Sequence, residues 1–522
     1  MTDAPPYRIV IGLEVHVQLL TRTKLFCGCA NRFGLPPNSA TCPVCLGLPG
    51  SLPVMNRAAF DLALKAALAL NGSVATFTKW DRKNYYYPDL PKNYQISQYD
   101  LPFCGGGHLD IETDAGPKRV RLIRVHLEED AGKLLHDESG GGQASKVDLN
   151  RTGTPLLEIV SQPDMNTPEE AAAYLQEIRL LLRELEVSDC EMQEGSLRCD
   201  ANVNIHVPLT TLSPLSRPGS GDGGEGVAAT PIVEVKNLNS IRGVERALRY
   251  EARRQFDELQ QNLASGEWRL AGGRVQGRKR NGEWAEVSKT TAGWDDEAGV
   301  TRVQRRKEEA SDYRYFPDPD LVPVEVDAAW LDRVRATLGE LPAAQRARVQ
   351  SQYGLSEYDA GVLARQGRRF VAYFEAAAAG SSDPKAVANW TTNEVLSSLN
   401  DRKQEIADFP ITAERLAGLV TEVKAAGLNK QRARDVYAHM LEHGSDAAAA
   451  IAALGFKAVA DEGAIRELVQ KGIAANPQAV ADYKKGKVRA ADRIKGFVMK
   501  ETKGLANTAV VQRLLEEELG KV

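Results

Sequence analysis

The sequence predicts an α+β protein that mixes strands with helices up to Pro323 and is almost wholly helical after it. Three observations carry this: strict apolar/polar alternation in four stretches of the first part, capped segments at helical spacing between them, and an Ala-rich, helix-like composition beyond Pro323.

From Ile9 to Leu19 every odd position is apolar, while the even ones include Glu14, His16 and Gln18. That period is a strand with one polar face, on which neighbours two apart stand roughly 7 Å from each other. Leu197 to Val207 repeats it with Arg198, Asp200, Asn202, Asn204 and His206; Ile123 to Leu127 with Arg124, His126 and Glu128; and Ile232 to Leu238 with Glu234 and Lys236. One polar-faced strand is ordinarily just exposed to water. Solvated faces favour Lys, Thr and Ser, however, whereas these repeat Glu, Asp, Asn and His, the ligand types of hard cations. Four together predict a sheet lining a metal-bearing cleft.

Thr167-Pro168-Glu169-Glu170 has the N-cap, N1 proline and N3 glutamate of a capping box, followed by Tyr174, Leu175, Ile178, Leu181, Leu182 and Leu185 at helical spacing. Gly243 to Leu263 reads as a second helix. The Pro-, Ser- and Gly-rich segment 208–231 reads as a flexible insertion, and 264–288 as another, with Asn281-Gly282 as its hairpin turn. Punctuation at Gly380 to Pro384 and at Pro410 divides the rest, giving expected domains 1–323, 324–410 and 411–522.

A chain of 522 residues exceeds one hydrophobic core. Its net charge of −4 gives no global nucleic-acid signal, so any basic surface is local. The candidate is Lys484, Lys485, Lys487, Arg489, Arg493, Lys495, Lys500 and Lys503, opposed only by Asp492 and Glu501. Met1 to Val10 lacks a signal-peptide pattern and no stretch reads as a membrane span, so the expected location is cytoplasmic, with no membrane partner. In that reducing setting the seven cysteines are not a disulfide framework. Cys27, Cys29, Cys42 and Cys45 instead form two pairs that turns can bring to one tetrahedral Zn²⁺, rather than merely a set of buried thiols. Asp81 to Gln95 interleaves cations, tyrosines and prolines suited to bases and phosphates, yet no Walker A motif occurs.

Six segments together resemble one family. They are Ile11 to Leu19, Arg82 to Gln98, His126-Leu127-Glu128-Glu129-Asp130-Ala131-Gly132-Lys133, Glu194 to Asn202, Val235 to Ser240 and Asp312-Tyr313-Arg314-Tyr315-Phe316-Pro317. They look like the B-subunit family of the tRNA-dependent aspartyl/glutamyl-tRNA amidotransferases, and Lys487 to Leu519 is similar to its helical tail. The resemblance implies a glutamine synthetase-like catalytic domain on a mostly antiparallel sheet, then a helical connector and an all-α, tRNA-binding tail. It implies ATP-dependent activation of the side-chain carboxylate of misacylated Glu-tRNA(Gln) or Asp-tRNA(Asn). Ammonia would come from a partner amidase (glutaminase), the A subunit, with a small C subunit completing a heterotrimer.

Carried over, the Mg²⁺ and catalytic set falls on Glu14, His16, Glu129, Asp200 and Glu234, with Glu158 as a further ligand. Periodicity favours Glu128 over Glu129 unless a bulge turns the strand, so both are kept. His16 either binds a softer ion or orients a water. Arg82, Lys83, Lys236 and Arg314 are the candidates for the charge of ATP or the acyl phosphate. The chain departs from the family where Lys289-Thr290-Thr291 stands for the common Glu-Thr-Arg, and at Phe497 and Thr508 in the tail. Two other readings compete: a stand-alone ATP-dependent ammonia ligase on a small carboxylate, for which the basic tail is superfluous, and a non-catalytic tRNA-binding scaffold, which gains nothing from crowding carboxylates.

Overall fold

The computed structural model describes residues 5–136, 145–212, 226–306, 313–456, 462–485, 487–502, 506 and 508–521. It forms two compact units, Met1–Leu341 and Pro342–Val522. Most of the first expected insertion, Asp312 and Lys503 lie outside the described residues.

The first unit is built on a 14-stranded, mostly antiparallel sheet. Arg8–Gln18, the first strand in the chain, is central: Leu197–Pro208 pairs with one edge and Pro155–Ser161 with the other, both antiparallel. Gly116–Glu129 follows beyond Pro155–Ser161, and Val233–Lys236 pairs antiparallel with Leu197–Pro208 and parallel with Thr290–Asp295. Alternation explains the placement. Ile11, Leu13, Val15 and Val17 are wholly buried on one face, in a core shared with Leu175 and Ile178 of the helix Pro168–Glu184 and with Leu248 and Ala252 of the helix Ile241–Ser265. Each such side chain contributes about 1.5–3 kcal/mol. The even residues must then gather on the other face.

Both helices begin on capping residues. Thr167 Oγ1 accepts from Glu170 N at 3.1 Å, and Ser240 Oγ from Gly243 N at 2.9 Å. The expected box is half-formed: the Glu170 carboxylate accepts from Asn166 N at 2.5 Å, one residue before the cap, and pairs with Lys118 at 2.7 Å. The segment expected as a second insertion becomes part of the sheet. Trp268–Ala271, Arg274–Arg278 and Trp284–Glu286 form an antiparallel meander with Gly282 in the left-handed region (φ 86°) at its turn, joined through an Ala229–Arg274 bridge.

The second unit is helical and holds two cores, one between Val349 and Phe456 and one between Ile465 and Leu519. The breaks expected after 323 and 410 fall inside packed clusters. Val324, Val326 and Trp330 belong to the core of the first unit, and Ile411 and Leu416 share a core with Phe374. The first unit instead ends at Leu341, between the helices Ala328–Arg335 and Pro342–Tyr353, where composition gives no signal that one core has ended. No helix of the described residues is long and apolar enough to cross a membrane.

Candidate functional site

Cys27 and Cys29 lie in the loop that follows the central strand, while Cys42 caps the one-turn helix Pro43–Leu46, which carries Cys45. Gly47 ends that helix in the left-handed conformation (φ 68°), turning the chain back. One sulfur from each cysteine lies within 4.8 Å of every other. Cys45 Sγ accepts from Cys42 N at 3.1 Å, and with the Cys27 thiol as the largest influence its pKa is lowered to about 5. Burial is the main cause raising Cys29, to about 11. A sulfur so lowered beside Cys27 and Cys29, whose pKa values are raised, is part of a set ready to exchange protons for a soft or borderline cation. Four sulfurs at this spacing fit Zn²⁺.

The polar face of the sheet carries the second cluster. Cross-strand register aligns four side chains in one row: Arg198 opposite His16, His16 opposite Glu158, and Glu158 opposite His126. His16 Nε2 lies 3.5 Å and His126 Nε2 3.3 Å from the same Glu158 oxygen, and His126 Nε2 is 3.7 Å from Glu128. Donor atoms of His16, Glu128 and Glu158 all lie within 4.8 Å of one another. Two positions along, Glu14 faces Asp200, and Asn202 Nδ2 donates to Glu14 Oε1 at 2.8 Å. The Lys236 ammonium bridges Asp200 and Glu234, at 3.0 Å from the latter. Thr291 Oγ1 donates to Glu234 at 3.2 Å and Lys289 Nζ lies 3.7 Å away, so two residues of the divergent Lys289-Thr290-Thr291 segment meet Glu234.

Electrostatics here is a contest between burial and mutual pairing. Burial acts to raise the Glu158 carboxyl, but His126 and then His16 outweigh it and hold it well below the ordinary carboxylate range. Burial likewise disfavours the His126 imidazolium, yet Glu158 and Glu128 push its pKa up to about 9. The side chains of Glu128 and Glu158 are only 4% and 8% exposed, so their charge is offset by neighbours rather than by water.

The two adjacent glutamates part company. The Gly116–Glu129 register runs unshifted from Arg124 to Glu129, so no bulge intervenes and alternation sends them to opposite faces. Glu128 joins the cluster and accepts from Ser97 Oγ at 3.2 Å. Glu129 is not brought to it: its carboxylate pairs with Lys92 and accepts from Ile96 N at 2.9 Å.

The cations divide in the same way. The Lys83 ammonium forms no hydrogen bond or ion pair with the described residues; it sits 5.2 Å from the Tyr313 ring, and the carboxylate of Glu128 overcomes burial to raise its pKa. Tyr315 of the same wall stacks on Tyr99 at 4.0 Å. Arg82 is committed elsewhere, to Asp318 at 2.7 Å and Asp320 at 2.9 Å, with its guanidinium over Tyr94. Arg314 is exposed, with left-handed backbone (φ 45°) and its carbonyl accepting from Asn84. Sequence reasoning passed over His126 and Arg198 as site residues although both lie on the alternating faces it identified. Arg198 supports the row from its edge through Asp130, at 2.8 Å.

In the second unit Lys484, Lys485, Lys487, Arg489, Arg493 and Lys500 are exposed, while Ile494 and Val498 of the helix Ala491–Glu501 are buried. Lys495 donates to Gln512 at 3.3 Å.

The family pattern described as the GatB/GatE catalytic domain matches residues 9–332, and that described as the GatB domain matches 372–519. The chain is similar to the B subunit of the aspartyl/glutamyl-tRNA(Asn/Gln) amidotransferase of Rhodopirellula baltica, 48% identical over 513 residues, which are 98% of this chain and 97% of that protein. Against the protein of the same name from Carboxydothermus hydrogenoformans it is 47% identical over 520 residues, 99% of each. The protein of that name from Moorella thermoacetica is 47% identical over 514 residues, 98% of this chain and 100% of that one.

Proposed function

The chain belongs to the GatB/GatE family of amidotransferase subunits, and from that premise we propose that its acid-faced sheet is the site where ATP activates an aminoacyl-tRNA carboxylate. As one component of a tRNA-dependent amidotransferase, it would act on misacylated Glu-tRNA(Gln), Asp-tRNA(Asn) or both, within a glutamine synthetase-like domain. The side-chain carboxylate attacks the γ-phosphorus of ATP, ADP leaves, and ammonia then displaces phosphate from the acyl phosphate to leave the amide.

The observation that carries this is the row of His16, Glu158 and His126, with Glu128 beside it and Glu14, Asp200 and Glu234 on the same face. His16, Glu128 and Glu158 would hold one divalent cation, and Glu14, Asp200 and Glu234 another. Mg²⁺ held there supplies neutralising charge for the nucleotide phosphates. Lys236 keeps Asp200 and Glu234 together and can turn to a phosphate once a cation takes their charge. Lys83, whose ammonium has no hydrogen bond among the described residues, is the arm for the transferred phosphoryl group, and Tyr313 and Tyr315 wall the pocket from water. Arg82 and Arg314 are kept as weaker phosphate candidates. Glu129 is proposed as a support, holding the end of its strand through Lys92, rather than as a ligand.

Cys27, Cys29, Cys42 and Cys45 would hold Zn²⁺ as a closed structural centre. The exposed lysines and arginines of the tail would meet the tRNA backbone. Glutamine hydrolysis would fall to a separate amidase, the A subunit, with a small C subunit completing the complex. The scaffold reading is disfavoured by buried acids that no scaffold needs.

The test is ATP hydrolysis and amidation of Glu-tRNA(Gln) by the assembled enzyme, wild type against Asp200→Ala and Glu234→Ala. Unchanged turnover in both variants would sink the assignment, as would activity that persists in full after chelation of divalent cations.

A further inference from the structure

Lys24 is wholly buried, and it is among the largest fully buried side chains of the protein. Its ammonium has two partners: the Ala40 carbonyl, at 2.7 Å, and Cys45 Sγ, at 3.8 Å. No carboxylate of the described residues lies within ion-pair distance of it. The nearby Glu129 is committed to Lys92. An ammonium taken out of water against one neutral carbonyl is strongly unfavourable, because desolvation of the charge is not offset. The site therefore requires an anion on the sulfur side. A metal ion held by four thiolates provides one, since two positive charges against four negative ones leave the centre at −2.

We infer that Lys24 is the built-in counter-cation of the tetracysteine centre, donating an N–H···S hydrogen bond to Cys45 and raising the affinity of the site for a divalent metal. The inference rests on the reading of Cys27, Cys29, Cys42 and Cys45 as a metal site. Lys24 acts through a ligand and is a positioning residue, not itself a ligand. The neighbouring backbone fixes the point from which the side chain reaches the sulfurs: Lys24 N donates to Cys29 O at 3.0 Å, and Leu25 N to Gly153 O at 2.9 Å. Cys42 N donates to Cys45 Sγ as well, so the same sulfur receives two donors. That makes it the thiolate on which negative charge is best stabilised.

The centre and its lysine predict effects of different size in the two metal states. With metal bound, Lys24 offsets a dianion; with metal stripped, it faces only the Cys45 sulfur and one neutral carbonyl. In the full-length chain, Lys24→Met, which keeps an unbranched side chain one atom shorter and removes its charge, is expected to lose at least ten-fold in Zn²⁺ affinity measured by competition with a chromophoric chelator. The rise in Tm produced by Zn²⁺ should shrink, because the metal-bound protein loses more Tm than the stripped, reduced one. With Co²⁺ in place of Zn²⁺, the sulfur-to-metal charge-transfer band should move to lower energy, because the thiolate loses a hydrogen bond. If Lys24→Met fails to fold, Cys45→Ser against Cys29→Ser decides: Cys45→Ser should be the less stable of the two. Equal Zn²⁺ affinity in wild type and Lys24→Met, equal destabilisation of both metal states, or equal stability of the two serine variants would each overturn the role of Lys24. A wild-type chain that takes up no Zn²⁺ would instead overturn the metal reading itself.

Discussion

The two candidate metal clusters of the first unit are assembled in opposite ways. The sulfur cluster comes from one short stretch, Cys27 to Cys45, in which two turns do all the work. The acid cluster comes from strands far apart in the chain: Asn202 and Glu14, which share a hydrogen bond in it, are 188 residues apart. A local cluster is defined by spacing and survives anything that preserves its turns. A distributed one is defined by register, and a shift of one residue in any strand would send its ligand to the opposite face.

That contrast is open to experiment, beginning where the effect is greatest. Glu158→Gln removes the carboxylate that both histidines address, and ATP-dependent amidation by the assembled enzyme should fall roughly 10²–10³-fold, the scale seen when a fixed electrostatic contact is lost. Glutamine hydrolysis assayed separately should survive. Equal loss of both would mean the acid cluster supports assembly rather than activation. Chelating the metal from the sulfur cluster should cost about 4 kcal/mol, the linkage expected for a metal at a thousand times its dissociation constant. Calorimetry should see it as a fall of roughly 5–6 °C in the transition of the first unit, while the helical unit keeps its own.

Glu129→Gln separates the adjacent glutamates. Breaking its buried pair with Lys92 should cost about 3 kcal/mol in a urea titration, with activation of the folded enzyme retained, whereas Glu128→Gln should do the reverse. The outcome that sinks this division is an activity loss of the same size in both. The smallest effect is expected for Lys83→Met, a drop of about 10–100-fold in kcat/KM for ATP, equivalent to one charge-assisted hydrogen bond. Steady-state kinetics at saturating tRNA would read it, and an unchanged value would assign the phosphate contact elsewhere.

The same contrast explains what the sequence made legible. Alternation identified the faces bearing Glu14, His16, Asp200 and Glu234, because a strand with one buried side has little freedom in the matter. It also ranked Glu128 above Glu129, and the unshifted strand register agrees with that ranking. Which acid stands beside which was not readable, since His16 meets Glu158 only through the order of strands in the sheet. His126 was passed over for that reason: alone it is a histidine on a strand, and only its place across from Glu158 makes it part of the row. The partners of Arg82 were equally illegible. Its neighbours in sequence are tyrosines and a lysine, yet its partners are Asp318 and Asp320, more than 230 residues on.

The central position of Arg8–Gln18 has a bearing on synthesis. This strand leaves the ribosome well before its partners on either side, Pro155–Ser161 and Leu197–Pro208. Through most of the making of the first unit, a strand bearing Ile9, Ile11, Leu13, Val15 and Val17 must wait with both edges unpaired. Contacts of such sequence separation form slowly, and an unpaired apolar strand invites association with other chains. Truncated nascent chains ending before Pro208 should therefore be aggregation-prone, and the acid cluster comes into being only as the sheet closes.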